Sequence, residues 1–226
     1  MNRTKLLSIV GVACVLLTFT SCASKEKEPE ARELDGVVKT LVLEHKGTAL
    51  GINELPIWVE TYVQTGITGL EKLTDYQEKY CFVAETTATN LDAGQAWVNG
   101  FDMPQTIAKN VSQRVEALFT GAASGSPEGT FGRYFENVVK STSEITYSGA
   151  RKMNDWWVHV RIYDEKVKSK YVDEYRIYVL YTIEKDLLDQ QVINVIDDVA
   201  KSDTLAADQM NAVNKVKELL SAEGLK

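Results

Sequence analysis

Two segments in the second half of the chain alternate between apolar and polar residues, which predicts a pair of β-strands. In the first, over residues 155–163, one side carries Trp156, Val158, Val160 and Ile162, and the other carries Trp157, His159, Arg161 and Tyr163. The second covers residues 174–183 and alternates in the same way. A period of two residues is that of a strand, and the charged stretch between the segments predicts an antiparallel hairpin. Shorter runs predict earlier strands over 37–44 and 79–87.

Apolar residues spaced three and four apart predict the helices. The longest such pattern covers residues 91–119 and is interrupted by Gly100 and Pro104. Because Asp102 can cap a new helix and proline suits a first turn, we expect a kinked or split helix. Gly121 is its expected C-terminal stop, followed by a loop over 121–129. A short helix is expected after Pro56, ended by glycines at 66 and 69, and two late helices over 187–199 and about 204–222.

These elements together predict an α+β fold. We expect a curved antiparallel sheet wrapped around the long kinked helix, with C-terminal helices, in a single domain over residues 37–226. Two segments are less regular. Residues 131–139 fit either a strand or a helix, and residues 143–147 look extended.

The composition is that of an ordinary globular protein with an acidic balance. Of 226 residues, 44% are hydrophobic and 25% are charged, and the formal net charge is -7. Nucleic-acid binding needs a basic surface, so the charge argues against nucleic acid as a partner.

The N-terminus has the pattern of an export signal. Arg3 and Lys5 precede an apolar run over residues 6–19, which is shorter than the roughly 20 residues of a membrane-spanning helix. The run ends in Phe19, Thr20, Ser21 and Cys22, which resembles a bacterial lipobox. We therefore expect a signal peptide over 1–21 and attachment to the membrane through a lipid on Cys22. The alternative is an ordinary signal peptide cut nearby, with Cys22 incidental.

The residues after the signal fit such an anchor. Residues 22–36 are rich in Lys, Glu, Ser and Pro and poor in apolar side chains, which predicts a flexible tether. Of the three cysteines, Cys14 leaves with the signal and Cys22 carries the lipid. Cys81 then remains alone in an apolar strand, where a buried, inert thiol is the expected state.

Three features of the region 55–200 form a distinctive set. They are Pro56, Trp58 and Val59, then Ala93 and Ala96 in the long helix, and the Tyr-rich strand 175–183. With these features the chain resembles the twenty-kilodalton bacterial outer-membrane lipoproteins and the related N-terminal domain of a flagellar outer-membrane protein, and it is similar to uncharacterised spirochaete lipoproteins. The resemblance implies a fold and a location in the cell envelope, at the outer membrane, and it implies no reaction.

The sequence contains no recognisable catalytic motif, so we expect no enzymatic activity. No cofactor-binding or metal-binding set is predicted either, because His45 and His159 lie far apart without a nearby Cys or paired carboxylate.

One strand face has the composition of a binding surface. Trp, Tyr and Arg are the residues enriched at interaction hot spots, and we predict a partner face formed by Trp157, His159, Arg161, Tyr163, Arg176 and Tyr178. In this register Trp156, Val158, Val160, Ile162, Ile177, Val179 and Tyr181 form the core. The alternative is that a helix covers the partner face and its aromatic residues are core as well.

Two classes of function fit these expectations. The first is a non-enzymatic envelope lipoprotein that binds an envelope protein, still unknown, or scaffolds an assembly. The alternative is a periplasmic glycan-binding protein or enzyme that uses the aromatic face. A deep pocket beside Trp157 would favour a glycan, and a flat face would favour a protein.

Overall fold

The computed structural model describes residues 32–34, 38–122, 129–164, 170–202 and 205–225. It confirms the α+β class. The strands are β1 (Arg32–Leu34), β2 (Val38–His45), β3 (Lys79–Ala88), β4 (Arg151–Tyr163) and β5 (Tyr171–Glu184). The helices are α1 (Ile57–Leu70), α2 (Leu91–Asn99), α3 (Met103–Ala122), α4 (Gly129–Glu144), α5 (Lys185–Ser202) and α6 (Ala207–Glu223). No helix in these described ranges is both long and apolar enough to cross a membrane.

The strands form one antiparallel sheet in the order β1-β2-β4-β5-β3. The predicted hairpin β4–β5 is its centre, with Trp157 opposite Ile177 and Trp156 opposite Tyr178. Strand β2 pairs with the outer side of β4, and β3 pairs with the outer side of β5 along its whole length. The two strands from the N-terminal half therefore flank a hairpin from the C-terminal half.

Both faces of the sheet bury apolar side chains. Side chains of α2 to α6 meet one face in the main cluster, which includes Phe82, Val111, Tyr134, Val179 and Ile196. The other face packs against α1 in a second cluster, here the α1 cluster, which includes Trp58, Leu70, Trp156, Val158 and Leu180. Alternate side chains of the central strands thus enter two different cores, as expected for a sheet with helices on both sides.

The predicted long helix divides where the sequence indicates. Helix α2 ends at Asn99, and Asp102 then accepts a hydrogen bond from the backbone N–H of Gln105 at 3.2 Å. Pro104 is the second residue of α3, where its missing N–H costs nothing. Helix α2 lies against β3 and β5, whereas α3 packs mainly on α4.

Other boundaries differ from the sequence-based expectations. Gly66, at φ +68°, kinks α1 instead of ending it, and the helix continues to Leu70. Helix α3 runs past Gly121 to Ala122, and residues 123–128 of the expected loop lie outside the described residues.

Residues 131–139 are helical and 143–147 are not a strand. They belong to α4 and the turn after it, because Tyr134, Val138 and Thr142 recur every four residues and are all buried. Tyr147 is also buried and donates to the carbonyl of Thr142 at 3.0 Å.

The predicted signal peptide over 1–21 and the lipid-attachment residue Cys22 lie outside the described residues. Of the expected tether, only residues 32–34 are described. They form β1, which pairs with residues Val38–Thr40 at the edge of the sheet.

Candidate functional site

The central hairpin brings together four of the six predicted partner-face residues. Trp157, His159, Arg161 and Tyr163 lie on the side of the sheet that faces the main cluster. Their cross-strand partners in β5 are Ile177, Tyr175, Asp173 and Tyr171, respectively. We call the resulting surface the hairpin face; it consists of Trp157, His159, Arg161, Tyr163, Tyr171, Asp173 and Tyr175, with Glu44 from β2 beside His159.

Arg176 and Tyr178 do not belong to this face, so their assignment to it was wrong. Arg176 lies opposite Val158 and Tyr178 opposite Trp156, on the α1 side of the sheet. Tyr178 is buried in the α1 cluster, and Arg176 pairs with Glu174 at 2.8 Å. Alternation within a strand defines two faces, but only the register between strands decides which faces coincide. For the same reason Ile177 and Val179 are buried in the main cluster, whereas Trp156 and Val158 are buried in the α1 cluster.

The outer end of the hairpin face is built around a two-pronged ion pair. Arg161 donates through Nε and Nη2 to the two carboxylate oxygens of Asp173, at 2.8 and 2.9 Å. The hydrogen bond from Arg161 holds the pKa of Asp173 below its usual value. The guanidinium also lies over the ring of Tyr171, 3.8 Å from its centre. Tyr171 in turn meets Tyr163 edge-on at 6.0 Å.

The middle of the hairpin face is a stack of rings with one carboxylate. The rings of His159 and Tyr175 lie parallel with centroids 4.1 Å apart, and Trp157 meets Tyr175 edge-on at 5.9 Å. The Tyr175 hydroxyl donates to Glu44 Oε1 at 3.3 Å, and His159 Nδ1 lies 3.5 Å from the same oxygen. Burial, followed by the charge of Glu44, raises the pKa of Tyr175.

The hairpin face is covered at its inner end and open at its outer end. Trp157 and Tyr175 pack against the main cluster, so the alternative in which a helix covers the partner face describes only this inner end. Tyr171 is 50% exposed at the other end. The open part therefore displays an ion pair and tyrosine rings.

The two histidines lie on opposite sides of the sheet and do not come together. His45 stacks on Trp156 on the α1 side of the sheet, whereas His159 stacks on Tyr175 on the other. Across the described ranges, no three His, Cys, Asp or Glu side chains lie close enough to hold a metal ion.

Cys81 is buried in the α1 cluster as a free thiol. Burial, and then the charge of Glu71, raises its pKa to about 12, which keeps the thiol protonated and unreactive.

Four residues of the hairpin face were not predicted from the sequence: Tyr171, Asp173, Tyr175 and Glu44. For the three residues of β5 the signal was present, because residues at odd positions of β4 and β5 share a face once Trp157 is set opposite Ile177. Glu44 of β2 comes to lie opposite His159 only after a register shift between Val42 and Glu44. The composition of the strands does not reveal that register.

Comparisons of the chain with protein-family models, with curated proteins and with solved structures find no match.

Proposed function

We propose that this protein is a non-enzymatic lipoprotein of the cell envelope, anchored in the outer membrane through Cys22, that binds a partner protein or scaffolds an assembly through its hairpin face. The anchor is supported by the export signal and by the Ser21–Cys22 junction. The single observation that carries the binding role is the open outer end of the hairpin face. There, Arg161 and Tyr171 are stacked and held in place by Asp173.

The same geometry favours a protein over a glycan as the partner. Glycan binding uses an aromatic ring whose flat side is free for a sugar. On the hairpin face, Arg161 covers one side of the Tyr171 ring. The stacked rings of His159 and Tyr175 each cover one side of the other. A preorganised patch of Arg and Tyr with few free rotamers suits a protein surface.

The anchor is tested by fatty-acid labelling of cells that express the wild type or Cys22→Ser. Lipid attachment needs the Cys22 thiol, so only the wild type should take up label, and the variant should remain an unlipidated precursor or be released. Equal labelling of both proteins would contradict the anchor.

The partner role is tested by crosslinking the lipidated protein in its own envelope and recovering the bound proteins. Tyr171 and Val172 are neighbours of similar exposure, 50% and 59%, on opposite sides of β5. Tyr171→Ala should reduce recovery of the partner at least about tenfold, as loss of a hot-spot side chain does, whereas Val172→Ala should leave it unchanged. Equal losses in both variants, or unchanged recovery with Tyr171→Ala and with a folded Trp157→Ala, would remove the hairpin face from the proposal.

A further inference from the structure

A cavity lies beside the inner end of the hairpin face, where α2 packs on the sheet. It has a volume of about 200 Å³ and lies between α2, the first half of β4, the middle of β5 and Lys46, which follows β2. We call it the α2 cavity. An apolar cavity of about 150 Å³ is large enough for benzene, so the α2 cavity can hold one ring or branched chain with a polar group attached.

The bottom of the α2 cavity is apolar and buried. Val98 of α2 and Ile177 and Val179 of β5 are each at most 3% exposed, and Trp157 forms part of the wall. Aliphatic side chains offer no hydrogen bond to water, so water held against them is poorly ordered and is displaced favourably by an apolar group. The bottom of the cavity therefore suits the apolar body of a ligand.

The mouth of the α2 cavity carries two ammonium groups that share one carboxylate. Lys46 pairs with one oxygen of Asp155, and Lys152 Nζ lies 3.2 Å from the other oxygen. Burial acts to raise the pKa of Asp155, but the hydrogen bonds from Lys46 and Lys152 outweigh it and hold the pKa below its usual value. Asp155 is thus ionised at neutral pH, and the charged side chains that line the cavity leave one positive charge in excess.

The charge at the mouth contrasts with the rest of the molecule, because the whole chain has a formal net charge of -7. Asp75 lines a neighbouring groove, formed by residues 46–58, 73–76 and 154–156, and does not line the α2 cavity. The amide groups of Gln95 and Asn99, one turn apart on α2, line the mouth as well and can donate to a ligand oxygen. The mouth therefore suits a small anion that accepts several hydrogen bonds.

We propose that the α2 cavity binds a small free carboxylate with an apolar body, about the size of phenylacetate. The apolar body fills the bottom of the cavity beside Trp157, and the carboxylate accepts hydrogen bonds from Lys46 and Lys152 at the mouth. With the ligand bound, two ammonium groups face two carboxylates. This inference goes beyond the proposed function, because it assigns a ligand site that depends neither on the lipid anchor nor on a partner protein.

The site is tested by ¹⁹F NMR of the full-length protein labelled with 5-fluorotryptophan. Trp156 and Trp157 line the α2 cavity, whereas Trp58 lines the neighbouring groove. Replacing each tryptophan in turn by phenylalanine assigns the signals. The probe is phenylacetate, which should shift the Trp157 signal in a saturable way and leave the Trp58 signal in place. Phenylacetamide has nearly the same shape without the charge, and it should bind at least about tenfold more weakly.

A pair of lysine variants tests the mouth. Lys152→Met should weaken phenylacetate binding at least about threefold, as expected for the loss of a charge-assisted hydrogen bond at a partly exposed site. Lys201→Met is the matched control, because Lys201 also pairs with one carboxylate, that of Asp198 at 2.8 Å, but lies on α5 outside the cavity. This control should leave binding unchanged. Both lysine side chains are exposed, so both variants should fold.

Five results would overturn the proposal. Three of them are no shift of the Trp157 signal at tens of millimolar phenylacetate, equal binding of phenylacetamide, and equal effects of Lys152→Met and Lys201→Met. A shift of the Trp58 signal without one for Trp157 would place the ligand in the neighbouring groove. Displacement of phenylacetate by an equal concentration of inorganic phosphate would identify a general anion site, in which the apolar body has no role.

Discussion

Several side chains on the hairpin face have little freedom, because their polar groups have partners within the face. Arg161 is fixed by both oxygens of Asp173 and by the ring of Tyr171. Glu44 accepts a hydrogen bond from the hydroxyl of Tyr175 and lies beside His159. A partner that meets this surface finds side chains already in one conformation, so less conformational entropy is lost on binding.

The Arg161–Asp173 pair should make stability depend on pH. The pKa of Asp173 is lower in the folded protein than in the unfolded chain, so the pair stabilises the fold above the ordinary carboxyl pKa of about 3.9 and loses its effect as the pH falls through the folded value. Arg161→Ala should therefore lower the urea midpoint at pH 7, and the difference from the wild type should shrink towards pH 2.

A double-mutant control isolates the ion pair. In an Asp173→Asn background, Arg161→Ala should change the midpoint by the same amount at both pH values. A difference that stays constant with pH in the wild-type background would mean that Arg161 acts through packing on Tyr171 alone.

Burial of single residues was predictable, but their assignment to shared faces was not. Trp156, Val158, Ile177 and Val179 are all buried, as the alternation indicated. The error at Arg176 and Tyr178 arose because each strand has apolar side chains on both sides, as expected for a sheet that is covered twice. When both faces of a sheet are covered, the alternation of residues no longer distinguishes a buried face from an exposed one. Only the register between the strands then shows which residues share a face.

Among the elements, α2 and α3 show how one helical pattern becomes two helices with different roles. Helix α2 approaches the sheet closely at Gly94, where a Cβ atom would lie 2.2 Å from Ile177 Cδ1 and 3.0 Å from Ala88 Cβ. Glycine suits this position because a side chain would collide with the sheet, and not because the backbone adopts an unusual conformation. Pro104, by contrast, lies exposed in the first turn of α3.

Substitutions at these two positions should have opposite outcomes. Gly94→Val should overpack the contact with the sheet and destabilise the protein by about 1–3 kcal/mol. Pro104→Ala should change the free energy of unfolding by less than about 0.5 kcal/mol, as exposed substitutions usually do. Chemical denaturation of both variants measures this. A loss of several degrees in melting temperature for Pro104→Ala would show that the proline ring itself is required.

Elements with local signals were predictable, and those that depend on tertiary contacts were not. Gly100, Asp102 and Pro104 mark the division of the long helix within the sequence. Helix α4 has no comparable signal, because the aromatic residues of 131–139 suit a strand as well. The groove lined by residues 46–58, 73–76 and 154–156 was not predictable either, since these three segments meet only in the folded chain.

On the scale of the whole molecule, a partly buried polar network joins five segments. The Tyr80 hydroxyl donates to Asp189 at 2.7 Å and accepts from the backbone N–H of Leu225. Arg114 donates to the carbonyl of Leu225 at 2.9 Å and to Glu71 Oε1 at the same distance. Leu225 is itself buried in the main cluster. The network joins α3, β3, α5, the turn after α1 and the residues after α6.

Leu225→Ala should therefore weaken the whole fold. Truncation of a buried leucine costs about 2–5 kcal/mol, which for a domain of this size lowers the melting temperature by roughly 10 °C. Ser221→Ala, at an exposed position in α6, is the control and should stay within about 0.5 kcal/mol of the wild type. If Leu225→Ala melts like the control, the residues after α6 are not part of the cooperative unit.

The order of strands in the sheet also determines how fast the protein can fold. The hairpin β4–β5 is local in sequence, but β2 and β3 reach it from far away: the paired residues Thr40 and Ile162 lie 122 positions apart, and Tyr80 and Ile183 lie 103 positions apart. Closing loops of this length costs entropy before new contacts compensate, and chains dominated by such pairings fold in milliseconds to seconds. We therefore expect the hairpin to be the folding nucleus, and β2 and β3 to join it only after it has formed.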